Sequence, residues 1–159
     1  MDDVVWCMSD PIENARMRAC GSPVPMDEIA CRASVHGHGG DVRIRAPVGG
    51  FRTIELELRL PLPATRGDIL RAVKEFYTRP ATPDILRVMK KAGAIDLEIA
   101  NEVEARLASG HRVELVELCL CGRDTGRGRV GFAGLKGDDS TSTYDLGWCQ
   151  HPSGHTLDA

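Results

Sequence analysis

Residues 53–80 read TIELELRLPLPATRGDILRAVKEFYTRP, and this stretch decides the fold. From Thr53 to Leu60 apolar and charged residues alternate. Ile54, Leu56, Leu58 and Leu60 fall on one side, and Glu55, Glu57 and Arg59 on the other, which is the period of a strand with one wet face. Pro61 and Pro63 break that pattern. Thr65 followed by Asp68 has the form of a helix N-cap with its box partner, and Ile69, Leu70, Val73, Phe76 and Tyr77 then recur at helical spacing. Pro80 closes the helix, because a proline disfavours the helical region for the residue before it.

Working outward, Val42 and Ile44 alternate with Arg43 and Arg45. Ala46-Pro-Val-Gly-Gly50 then reads as the turn of a β-hairpin leading into Phe51–Leu60. A sheet with one solvated face favours antiparallel pairing. After the first helix, Thr82-Pro-Asp predicts a second, with a cap and a proline at its first position, burying Ile85, Leu86 and Met89 and ending at Gly93. Asp96 caps a third, with Ile99, Val103 and Leu107 on one face and Gly110 as its stop. Arg112–Cys121 reads as a strand whose alternation slips at Leu115-Val116, followed by strands over Arg129–Leu135 and Thr141–Trp148. Strands, helices and strands in segregated runs predict an α+β domain. Its sheet is mainly antiparallel, with about five strands and three central helices on one face.

Residues 1–40 are broken by Asp10-Pro, Gly21-Ser-Pro-Val-Pro25 and His36-Gly-His-Gly-Gly40. They are expected as an N-terminal arm, mobile or laid across the domain or a partner, with the folded domain over 41–150 and a tail over 151–159.

Composition narrows the function. A hydrophobic fraction of 42% predicts a folded core, and 4% aromatics leaves Leu, Val, Ile and Ala to fill it. A formal charge of −3 gives no basic excess, which argues against nucleic-acid binding through bulk electrostatics. No apolar run reaches the roughly 20 residues of a membrane helix. The opening Met1-Asp-Asp-Val-Val-Trp-Cys has no basic region or long apolar run of a signal peptide, so an intracellular location is expected, cytoplasmic or in a virion. Cys7, Cys20, Cys31, Cys119, Cys121 and Cys149 are therefore expected as reduced thiols.

Thr65, Asp68, Ile69, Leu70, Ala72, Val73, Phe76, Tyr77 and Pro80 follow a Thr-x-x-Asp-aliphatic-Leu-x-Ala-aliphatic-x-x-Phe-Tyr-x-x-Pro pattern. With Phe132-Ala-Gly-Leu135 and Tyr144-Asp-Leu-Gly147, it resembles an uncharacterised domain family of large DNA viruses of amoebae and of fungi. The resemblance spans roughly residues 53–148. It departs where one aromatic, not two, precedes Gly134-Leu135 and where Trp148 follows Leu146-Gly147. It implies an architecture and a viral or fungal origin, and it carries no activity.

Three constellations bear on chemistry. Gly126-Arg-Gly-Arg-Val-Gly131 fits the dinucleotide glycine pattern in letters only, since a strand and not a helix follows it. Cys119-x-Cys121 with Cys149-x-His151 supplies three sulfurs and a nitrogen, a tetrahedral zinc set, with His155, His36 or His38 as substitutes. On a flat strand, however, Cys119 and Cys121 would point the same way about 7 Å apart, which suits two buried thiols better than a metal knuckle. A Cys149 or Cys121 nucleophile with His111 as base is a third possibility. The favoured expectation is a non-enzymatic interaction or structural domain that engages a protein partner, or a second copy, through its arm. The alternatives are a small zinc-stabilised module and a thiol-dependent enzyme.

Overall fold

A computed structural model describes residues 1, 4–8, 10–31, 40–50, 52–119, 129–138 and 143–151 of the chain. Its strands are β1 (Val4–Cys7), β2 (Arg16–Met17), β3 (Ile29–Cys31), β4 (Asp41–Gly49), β5 (Thr53–Pro61), β6 (Ala64–Thr65), β7 (Arg129–Asp138) and β8 (Thr143–His151). Its helices are α1 (Arg66–Thr78), α2 (Pro83–Ala92), α3 (Leu97–Ala108) and the short α4 (Leu115–Cys119), with a 3-10 turn at Ile12–Asn14. Six strands form one sheet in the order β2-β1-β7-β8-β4-β5, and β3 pairs with β6 apart from it. All pairs are antiparallel except β4 with β8, where Arg43–Arg45 run parallel to Thr143–Asp145. The expected α+β plan is therefore present, with one parallel seam joining two hairpins.

The even-numbered residues of β4, Val42, Ile44, Ala46 and Val48, are fully buried, and Leu58 and Leu60 of β5 join them. Against this face pack α1 on β5, α4 on β4 and α2 on β5. Ile69, Leu70, Val73, Leu86, Met89, Leu115 and Leu118 fill the seam at 0% exposure, each such burial contributing about 1.5–3 kcal/mol of hydrophobic stabilisation before entropy is counted. The caps are those the sequence predicts. Thr65 and Asp68 form a reciprocal capping box, Thr82 accepts from the Ile85 N–H, and Asp96 accepts from the Glu98 N–H. Gly93 ends α2 at φ 64°, a left-handed conformation that glycine adopts without Cβ strain.

Three expectations are corrected. The described residues among the first 31 are built into the domain and not merely laid across it. β1 and β2 extend the sheet, Val4, Trp6, Met8, Ala15, Val24 and Cys31 enter the core, and the carbonyls of Glu28 and Met26 accept from the Arg66 and Gly67 N–H groups at the start of α1. The segment thus satisfies helix donors that would otherwise lack partners. Second, Ala46–Gly49 is strand and not turn, because the hairpin ladder runs unbroken from Asp41↔Pro61 to Gly49↔Thr53. Third, the strand expected over Arg112–Cys121 is the helix α4 across Leu115–Cys119, opened by a bond from the Glu114 N–H to the Glu117 carboxylate at 2.9 Å. Leu115, Leu118 and Cys119, spaced i, i+3, i+4, are its buried face.

Candidate functional site

The residues singled out for metal are distributed as follows. Cys119 lies at the end of α4, 1% exposed, with its thiol donating to the Leu115 carbonyl at 3.5 Å. The flat-strand geometry for Cys119 and Cys121 is thereby replaced on the Cys119 side, while Cys121 falls outside the described residues, as do His36, His38, His155 and the loop arginines Arg123 and Arg127. Cys149 and His151 occupy β8 at register positions opposite Gly131 and Arg129. Among the described residues no group of three or more His, Cys, Asp or Glu side chains converges on a common point.

Of the other thiols, Cys20 is exposed and 3.0 Å from the Ser22 hydroxyl. That side-chain hydrogen bond, with a second to the Ser22 backbone, lowers its pKa, against a smaller opposing effect of burial. His111 sits on the surface 2.8 Å from the Ser109 hydroxyl. A shallow open cleft of about 210 Å³ lies between the 3-10 turn and α1, where Pro11, Ile12 and Glu13 face Arg71, Lys74 and Glu75. Its Lys74 ammonium is already committed to the Asp10 carbonyl at 2.7 Å.

The wet face of the sheet is more ordered. Lys136, Asp145, Arg45 and Glu57 stand opposite one another in turn across β7, β8, β4 and β5, a row of alternating charge. Arg45 is bonded to Asp145 at 2.6 Å. Arg59, whose cross-strand neighbour is the like-charged Arg43, turns along its own strand to Glu57, also at 2.6 Å.

The two ends of the sheet differ. At one end β2 has two residues and is continued by the Arg16↔Pro23 bridge and the Met17 N–H bond to the Ser22 carbonyl. Such short, proline-blunted edges do not template further pairing. At the other end β5 is nine residues long and, among the described residues, pairs on one side only, with β4. The Leu62 N–H donates to the Gly40 carbonyl at 2.6 Å, which continues the unbroken register and makes the even-numbered residues of β5 the ones that bond β4. The N–H and C=O groups of Thr53, Glu55, Glu57 and Arg59 therefore point outward, and none has a partner among the described residues. Pro61, which has no N–H to give, sits at an outward position as well.

Sequence reasoning identified the strand and its faces but not that it would be the sheet's last. Comparison with family models, with curated proteins and with solved structures finds no match to this chain.

Proposed function

We propose that this chain is a non-enzymatic protein-interaction domain and that its working surface is the outer edge of β5, where a partner adds a strand. The observation that carries the reading is the nine-residue edge whose outward backbone groups lack partners among the described residues, at one end of a sheet whose other end is short and blunted. Strand addition draws affinity from the main chain and selectivity from alternate side chains, and Glu55, Glu57 and Arg59 are exposed to supply the second. The surface differs from the arm expected from sequence, since the described strands of that segment are used within the fold. On the resemblance to the large-DNA-virus and fungal family, such a domain would act in the host cytoplasm or the virion.

The test is site-specific photo-crosslinking in cells that make the chain. A photoreactive residue at Glu55, on the edge, is compared with one at Glu102, exposed on α3. Discrete protein adducts from the Glu55 position in clear excess are expected. Adducts absent at Glu55, or equal from both positions, would remove the β5 edge as the working surface.

A further inference from the structure

The β5 edge is complementary to itself. We infer that its partner is a second copy of this chain, paired antiparallel about a two-fold axis through Leu58, so that the two six-stranded sheets become one. The inference rests on the interaction reading above and names its partner.

Strand direction and side-chain order carry it. The outward-pointing residues are odd-numbered in both copies, so only registers that set odd against odd can make ladder bonds. With Leu58 opposite Leu58 of the second copy, Glu57 faces Arg59 of that copy and Arg59 faces its Glu57. The outward N–H and C=O groups of these two residues bond each other, and Glu57 and Arg59 each meet an opposite charge on the wet face. Sliding the strands by two residues one way sets Arg59 against Arg59; sliding them the other way pairs Glu55 with Arg59 twice but sets Glu57 against Glu57, so only the register centred on Leu58 joins opposite charges with no like pair. Pro61, which cannot donate, falls opposite Glu55 and ends the ladder.

The core face agrees with the same register. Leu56 then lies opposite Leu60 of the second copy and Ile54 opposite its Leu62. Ile54, Leu56 and Leu62 are each only partly buried in the single chain, packed against the core at its margin. The axis would continue that apolar layer from one copy into the next, as an isologous interface requires. Charged side chains and a proline on an edge oppose indiscriminate pairing, so Glu55, Glu57, Arg59 and Pro61 admit a neighbouring strand only where opposite signs meet. Here Glu57 and Arg59 are of opposite sign two residues apart, and the Glu57–Arg59 bond within each of the two strands exchanges for one between strands, so two bonds replace two at no change in charge pairing.

Sedimentation velocity of the full chain over a concentration series tests this. The wild type is expected to pass from monomer to dimer. Glu57→Arg and Arg59→Glu should each weaken self-association roughly ten- to a hundredfold, because two opposite pairs become two like pairs. Both variants are checked for a native circular-dichroism melt. An equimolar mixture of the two should restore the dimer, since every Arg then faces a Glu. Glu57→Pro removes an outward N–H and the carboxylate while leaving the ladder bonds to β4 in place, and should also give a folded monomer. A wild type monomeric at every concentration, or a mixture that stays monomeric while the wild type dimerises, overturns the self-pairing. In the first case, edge-specific adducts at Glu55 to other proteins would leave the interaction reading standing, and their absence would end both.

Discussion

The Tyr77 hydroxyl donates a 2.7 Å hydrogen bond to the carbonyl oxygen of Pro47, tying the last turn of α1 to β4 just past its parallel ladder with β8. Tyr77 is 1% exposed. Burial, and secondarily the neighbouring Cys119 side chain, push its pKa far above the ordinary tyrosine range. Tyr77→Phe should cost about 1–2 kcal/mol, the cost of leaving that carbonyl unbonded. A folded-state pKa raised above the unfolded value gives stability that is complete below about pH 10 and declines as the pH rises past it. Urea titrations at about pH 8 and about pH 11 should show a steeper loss for the wild type than for Tyr77→Phe. Identical slopes would mean that the hydroxyl is not buried as described.

The capping box gives the opposite pH signature. Asp68 is held at about 2, chiefly by the Thr65 backbone N–H, then by the Thr65 hydroxyl and Arg71. Its folded pKa lies below the unfolded value, so its stabilisation is present above about pH 4 and is lost as the pH falls toward about 2. The side chain is 42% exposed, so solvent screening limits the effect to no more than about 1 kcal/mol. Asp68→Asn should flatten acid unfolding across that window, and Thr65→Ala should cost about 1 kcal/mol at neutral pH. An unchanged acid limb in Asp68→Asn would show that the box does not form in solution.

Neighbouring residues on β5 should behave unlike each other. Leu58→Ala, and Val73→Ala on the helix facing the sheet, should each cost roughly 2–4 kcal/mol by opening a cavity. Glu57→Ala should fall within about 0.5 kcal/mol of neutral under monomeric conditions. Denaturant titrations giving Leu58 and Glu57 equal losses would mean the register is off by one.

The thiols should separate by access. Cys20 is exposed and has a lowered pKa, whereas Cys31 and Cys119 are 4% and 1% exposed. Alkylation of native protein near neutral pH, mapped by mass spectrometry, should label Cys20 first and leave Cys31 and Cys119 until unfolding. Rapid labelling of Cys119 would contradict its place on the buried face of α4.

A chelator should leave the thermal midpoint unchanged. Cys119 is packed in the core with its sulfur directed at the Leu115 carbonyl, an arrangement suited to a protonated thiol. Stoichiometric zinc in purified protein, lost from a Cys121→Ser variant with a fall in the unfolding midpoint, would instead establish the zinc-stabilised module.

The hairpin and the three long helices were legible because each carries two agreeing signals, a period and a punctuating residue. Leu58 and Glu57 sorted by alternation, and Thr65, Thr82 and Asp96 marked their helices at the observed caps. α4 was misread although its signal was there. The slip at Leu115-Val116 is the start of an i, i+3, i+4 stripe, but five residues are too few for a period to outweigh high β propensity. β1 and β2 were missed because four and two residues carry no period, and their partners, β7 and a proline turn, are set by tertiary pairing. The open edge was illegible for the same reason, since which strand comes last in a sheet is a property of the whole order and not of any one segment.

The pairing of β1 with β7 has a consequence for synthesis. A ribosome delivers Val4–Cys7 well before its partner Arg129–Asp138, whereas β4 and β5 can zip together as soon as Pro61 emerges. Long-range pairing is slow because the intervening loop must close first. Trp6 and its neighbours therefore lack their β7 partner while residues 8–128 are made, a window in which uncovered apolar surface favours aggregation of the nascent chain.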